Sequence, residues 1–299
     1  MPRSASEASA GTGHARQRMR FSVTIFLTDE TITPAEMARA TEERGFFGLY
    51  LPEHTHIPTS RATPAPMGEP LPHYYRRCVD PFVALMAAAA ATERLRVGTG
   101  ICLLAQREPI VTAKQIATLD MLSDGRFTLG LGFGWNREEA ADHGVDFAQR
   151  RDLVREKVLA MQTLWRDEEA SFAGEHVNFA PSWQWPKPVQ QPRPPVWLGV
   201  GAGPTNFAHL AEYADGWIPI GGRGLSEAVP QLRDAFAAAG RDPDDLDIVP
   251  FGSSPDVGKF EHFAEVGVTE VVANAPPGDR AEVEKFLDRY AEIVEAFGG

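Results

Sequence analysis

The chain has 299 residues, 43% of them hydrophobic, which is ample for a large packed core. Its formal charge is −12 and its 29 lysines and arginines gather in no single stretch, so the positive field that draws nucleic acid or an anionic bilayer is missing. Charges run through every apolar segment, which excludes a membrane span, and two cysteines without ligand spacing, Cys78 and Cys102, exclude a disulfide framework and a structural zinc site and fit a reducing cytoplasm.

Residues 1–18 are small and polar without an apolar run, so they read as a disordered leader and not as a secretory signal. Translation starting at Met19 is an open alternative. A β-rich run covers 21–27, and a helix covers 34–44, opened by Pro34 and stopped by Gly45. The strand over 47–51 gives way to Pro52, Glu53 and His54, then to a proline-rich insertion through residue 77. Asp80 and Pro81 open an alanine-rich helix to about 92. A strand over 95–102 contains Gly98 and Gly100, and the helix over 109–122 ends at the turn Ser123-Asp124-Gly125.

The next strand, 127–131, runs into Gly132, Gly134, Trp135 and Asn136, and a longer helix spans 148–166. A second irregular insertion, 168–195, carries Trp183, Trp185 and six prolines. Strands follow over 196–200, 216–220, 246–250 and 269–273, alternating with helices over 206–213, 225–239, 259–266 and 281–297. Eight strands alternating with eight helices predict a (β/α)8 TIM barrel, one domain over 19–299, because each parallel crossover needs a helix. The two insertions are expected to cap its C-terminal face.

Catalytic groups in such barrels stand just after the strands. That position selects His54, whose imidazole can donate a proton or a hydrogen bond, and Glu53, which either orients it or faces the other way. It also selects Gly100 to Leu103, Gly132 to Asn136, and Gly199 to Thr205, of which the turn Gly199-Val200-Gly201-Ala202-Gly203 has amides and a following helix dipole that suit a phosphate. Each also has a plainer reading: a strand end, a packing glycine, a tight connection. His54 and His56 lack a third ligand for a metal.

The segments GLYLPEH (48–54), LRVGTGICLL (95–104), AKQIATLDMLSDGRFTLGLGFGWNREE (113–139) and PPVWLGVGAGPTNFAHLAEYADGWIPI (194–220) resemble the luciferase-like monooxygenase family, including the branch that uses the deazaflavin coenzyme F420. The third is the most specific, and the last third of the chain matches only in barrel pattern. The resemblance implies a flavin-like ring across the barrel mouth, backed by a non-proline cis peptide at Gly100-Ile101. It implies that His54 stands beside the reacting carbon with Glu53 as its acidic neighbour. It further implies cofactor contacts from Gly100, Ile101, Cys102, Gly132, Trp135, Glu138 and the residues Gly199, Val200, Gly201, Ala202 and Gly203.

The expected activity is hydride transfer between F420 and a small, mainly apolar substrate. The alternatives are a two-component monooxygenase that takes reduced FMN from a separate flavin reductase, and a noncatalytic flavin-binding protein. A homodimer through the helices over 81–92 and 109–122 is expected from relatives. A Schiff-base aldolase is disfavoured because no lysine follows a strand.

Overall fold

A computed structural model describes residues 19–298; the expected leader, 1–18, lies outside the described residues. In chain order the elements are β1 (Arg20–Thr24), α1 (Pro34–Glu43), β2 (Gly48–Leu51), α2 (Pro81–Ala90), β3 (Arg96–Cys102), α3 (Pro109–Leu122), β4 (Phe127–Gly132), α4 (Arg137–Asp142), α5 (Arg150–Arg166), β5 (Ala170–Ala173) and β6 (Asn178–Ser182). Then come β7 (Val196–Gly199), α6 (Pro204–Tyr213), β8 (Gly216–Trp217), α7 (Leu225–Ala238), β9 (Asp247–Ile248), α8 (Val257–Val266), β10 (Glu270–Asn274) and α9 (Arg280–Phe297).

Eight strands pair in parallel in the order β10-β1-β2-β3-β4-β7-β8-β9. The sheet curls until its two edges meet: Thr269 N donates to Ile248 O at 3.0 Å, and Val272 N to Pro250 O at 3.1 Å. This is the TIM barrel that the alternation predicts. Its helices start where the sequence places a proline behind a capping side chain. Thr33 and Glu36 form a capping box on α1, Asp80 accepts from Val83 N above α2, and Glu108 accepts from Ile110 N and Val111 N above α3.

The large apolar core lies between sheet and helices, with Leu49, Leu51, Val97, Leu129, Leu198 and Ile248 facing Leu85, Ile116, Val158, Leu210 and Leu232. Inside the barrel a separate apolar cluster of Tyr50, Trp197, Ile218, Val249, Phe251 and Val272 has Ile101 packed against it.

Three features differ from the sequence reading. The second insertion is not irregular throughout: β5 and β6 form an antiparallel hairpin outside the barrel. The Glu156 carboxylate on α5 pins its turn by accepting from Glu175 N, His176 N and Val177 N. A short helix, α4, follows β4 directly. Strands β8 and β9 stop at Trp217 and Ile248, two residues ahead of Pro219 and Pro250, because proline brings no N–H to a ladder; their carbonyls still accept from Phe251 N and Val272 N.

Candidate active site

Successive residues of an extended chain point to opposite sides, and after β2 this separates Glu53 from His54. Glu53, 3% exposed, accepts from Leu103 N at 2.7 Å and from Arg107 Nε at 2.6 Å, and Arg107 Nη2 pairs with it as well. Of the two alternatives for Glu53 the structure takes the second: it faces away and does not orient His54. The turn that carries Arg107 is itself held, because the buried Lys157 ammonium on α5 donates to the carbonyls of Leu104, Ala105 and Arg107 at 3.4, 2.8 and 2.6 Å.

His54 is oriented by Glu139. Its Nδ1 lies 2.9 Å from Glu139 Oε2, with the two side chains 7% and 1% exposed. The ring contacts Tyr75 (5.3 Å between centroids) and Trp135 (5.8 Å, edge-on). A carboxylate offers only acceptors, so Nδ1 carries the hydrogen toward Glu139, and in the neutral imidazole this tautomer presents the Nε2 lone pair. Asn136 caps α4 by accepting from Glu139 N at 3.1 Å, which aims Glu139 at His54. Glu139 Oε1 and Asn136 Nδ2 are buried without a protein partner, so hydrogen-bonding capacity is left over here.

The neighbouring wall comes from β3, which pairs with β2. The Gly100-Ile101 bond is a non-proline cis peptide, as the resemblance implies, and the pairing with β4 shifts register between Thr99 and Cys102. Ile101 fills the space that side chains on the next two strands would need: a Cβ on Gly132 would lie 2.2 Å from Ile101 Cδ1, and one on Gly199 3.1 Å from Cγ2. These glycines therefore admit Ile101. On Gly100 a Cβ would meet Phe251 at 2.4 Å. Cys102 is fully buried, its thiol pushed well above the usual range by desolvation and by Glu53, so only its backbone reaches the mouth.

The turn after β7 is open. Added Cβ atoms on Gly201 and Gly203 would meet nothing within 4 Å, and no side chain caps α6, whose N-cap is Gly203. Ala202 is exposed; the Val200 carbonyl accepts from Trp217 Nε1 at 2.8 Å. Asn206 Nδ2 donates to Gly201 O at 2.9 Å while its buried Oδ1 has no partner. An uncapped helix start beside an unfilled glycine turn fits the phosphate of a flavin-type cofactor, and the Ile101 bulge offers a flat apolar backing for its ring.

The first insertion closes over this floor. Glu138 accepts from Thr63 N at 3.3 Å, a contact that holds its carboxyl below the usual range, and the Arg61 guanidinium lies 5.7 Å from the Trp135 ring centre. Phe26, Tyr74 and Tyr75 form an aromatic group with centroids 4.5 to 5.3 Å apart. Among the described residues no group of three or more His, Cys, Asp and Glu side chains is arranged to hold a metal, and no helix is long and apolar enough to cross a membrane.

Sequence reasoning missed Glu139, Arg107, Lys157 and Tyr75. Glu139 had a signal, the pattern Asn136-x-x-Glu139 of a capping box, which marks a helix start after β4. Arg107 and Lys157 act across about 50 residues of chain on a carboxylate and on backbone carbonyls, and have none.

An uncharacterized protein of Mycobacterium tuberculosis is 44% identical over 279 residues, 91% of this chain and 98% of that protein. An F420-dependent glucose-6-phosphate dehydrogenase of Kineococcus radiotolerans is 31% identical over 221 residues, 71% of this chain, which spans 60% of that enzyme. Two solved structures share the fold. An F420-dependent secondary alcohol dehydrogenase in complex with an F420-acetone adduct has TM-score 0.74 at 19% identity over 93% of this chain and 99% of that one. The monooxygenase RslO1 of Streptomyces bottropensis has TM-score 0.73 at 20% identity over 94% and 100%. The luciferase-like monooxygenase family model matches residues 20–255, nearly the whole barrel, and the chain belongs to that family.

Proposed function

We propose that this protein is an F420-dependent oxidoreductase that interconverts a small uncharged organic substrate and its oxidised form. The observation that carries the reading is the buried His54-Glu139 pair at the barrel rim, next to the Ile101 bulge. Its resemblance to F420-dependent relatives supports the deazaflavin over FMN.

Bound F420 supplies or accepts a hydride. Glu139 holds the His54 tautomer so that Nε2 takes a proton from a substrate hydroxyl in oxidation, or returns it in reduction. Ile101 would back the ring, and the 199–203 turn with the α6 N-terminus would hold the phosphate. Glu53, bonded to Leu103 N and Arg107, is a positioning residue that fixes the end of β3. Phe26, Tyr74, Tyr75 and Trp135 give the substrate an apolar, aromatic enclosure and exclude water. Arg77 in the insertion is spent on Asp29 and Glu30, and Arg61 pairs with Glu69 through Nη2 while its buried Nε and Nη1 keep no hydrogen-bond partner, so it is the aromatic enclosure that speaks for an uncharged substrate.

The protein works as a cytoplasmic homodimer in this reading. Val83 on α2, Val111 and Leu122 on α3, and Trp185 beside them are 73, 55, 57 and 55% exposed, an apolar face that a second barrel would cover. The test is titration of the purified protein with F420 and with FMN, oxidised and reduced, followed by ring fluorescence. Preference for F420 is expected. Preference for reduced FMN would make it a two-component monooxygenase served by a flavin reductase, and binding without turnover of any alcohol or carbonyl substrate would make it a flavin-binding protein.

A further inference from the structure

Residues 61–71 of the first insertion close into a loop around one carboxylate. Glu69 Oε1 accepts from Arg61 Nη2 at 2.6 Å and from Ala65 N at 3.1 Å, and Oε2 accepts from Leu71 N at 2.8 Å. Arg61 itself stands at φ 47°, a left-handed conformation that an arginine adopts at a cost and keeps only where its surroundings enforce it. Asp124, the other non-glycine residue described with a positive φ, lies in the turn Ser123-Asp124-Gly125, where a short polar side chain tolerates it. Arg61 has no such local reason.

What the conformation achieves is the placement of a guanidinium beside Trp135 at the C-terminal rim. Its centre lies 5.7 Å from the Trp135 ring, whereas Arg107 on Phe82 and Arg150 on Phe147 stack at 4.5 and 3.7 Å. Arg61 therefore stands off the indole. Its Nε and Nη1 are buried and have no hydrogen-bond partner among the described residues. A fixed cation with only Nη2 engaged has donors left for a ligand.

The neighbours choose the class of that ligand. Glu69 already answers the Arg61 charge, and Glu138, which accepts from Thr63 N at 3.3 Å, brings a second carboxylate to the same loop. A carboxylate or phosphate would meet those negative charges, whereas a carbonyl, ester or amide oxygen accepts from Nε or Nη1 without adding charge. His54 touches the same Trp135 ring, edge-on at 5.8 Å, so a substrate with its reacting carbon at His54 reaches Arg61 along the indole. We infer that Arg61 is a specificity-determining residue that donates to a neutral oxygen acceptor of the substrate, a few bonds from the reacting carbon. The inference rests on the F420 reading above and narrows its substrate from an uncharged molecule to one with two oxygen functions.

The test is steady-state oxidation, with F420, of three probes on one skeleton: heptan-2-ol, 6-hydroxyheptan-2-one, which adds a distal carbonyl, and 5-hydroxyhexanoate, which puts a carboxylate in its place. The wild type is expected to favour the hydroxyketone over the plain alcohol about tenfold in kcat/KM, chiefly through KM, and to disfavour the carboxylate. Arg61→Lys keeps a cation opposite Glu69 but has a single nitrogen, so the preference should fall below about twofold. A role confined to anchoring the loop would change all three probes alike and leave the ratio as it was. Equal kcat/KM for alcohol and hydroxyketone in the wild type, a ratio retained in Arg61→Lys, a preference for the carboxylate, or no turnover of any probe by protein that binds F420 would each overturn the inference. Absence of F420 binding would remove the reading beneath it as well.

Discussion

At the N-terminal end of the barrel, buried charges face one another: Arg20 Nε and Glu270 Oε2 make no hydrogen bond but form an ion pair with each other. Glu270 accepts from Ser22 Oγ at 2.6 Å and from Tyr50 OH at 2.9 Å, and lies 3.3 Å from Arg20 Nε. Arg20 reaches on to Asp247 at 2.7 Å, and Asp247 accepts from Thr269 and Trp197. At the C-terminal end, Glu139 Oε1, Asn136 Nδ2 and Asn206 Oδ1 are equally buried and have nothing to bond. At one end the atoms without hydrogen bonds lie against an opposite charge, and at the other they have no charged partner, which in the proposed reading leaves them for a ligand.

The sharpest way to break this contrast is His54→Ala. Turnover is expected to fall by about 10²–10⁴ with cofactor affinity and melting temperature unchanged. Loss of cofactor binding in a variant that remains folded would mean that His54 holds the ring and does not move protons.

The opposite end should respond in the opposite currency. Glu270→Ala leaves Arg20 without its buried partner and is expected to cost about 3–5 kcal/mol in denaturant unfolding, with cofactor affinity retained while folded. Full burial outweighs the attraction of Arg20 and pushes the Glu270 carboxyl up. The folded state then holds this proton more tightly than the unfolded one, so its contribution is present at low pH and is lost as pH rises through the raised value. The stability of wild type relative to Glu270→Gln should therefore decline with pH in that window; a difference that grows with pH contradicts this.

Cys78 gives a smaller effect at the catalytic end. Its Sγ lies 3.4 Å from Pro52 O, and burial pushes the thiol up from 9.0 to about 11. Alkylation near pH 8 should run about a hundredfold slower than for a free thiol, and a rate close to that of a free thiol would mean that the end of β2 opens readily.

The smallest change compares two glycines of the rim. Gly132→Ala must displace Ile101 and is expected to cost about 1–3 kcal/mol and weaken cofactor binding. Gly201→Ala, with open space around it, should stay within about 0.5 kcal/mol of wild type in stability.

The barrel was legible because proline and glycine punctuate its β-rich runs so regularly, from Pro34 and Gly45 to Pro109 and Gly125. Strand ends pointed to His54 and the 199–203 turn as positions to consider, and the cis peptide at Gly100-Ile101 was legible only through the family resemblance. Glu139 was not, since choosing between it and Glu138 requires knowing that α4 starts at Asn136. The β5-β6 hairpin was hidden because its strands pack on little, and the side chain that holds its turn, Glu156, lies in the preceding helix.

The adjacency of Glu53 and His54 has an engineering meaning. Glu53 grips the end of β3 through Leu103 N, and the next residue carries the imidazole. In the proposed reading, the spacing between ring support and proton carrier is thus set by one peptide unit and one hydrogen bond, with residues 55–77 hanging beyond it. A grafted replacement for that segment would change what the enzyme accepts while inheriting the alignment of its chemistry, which makes the insertion a module for redesign.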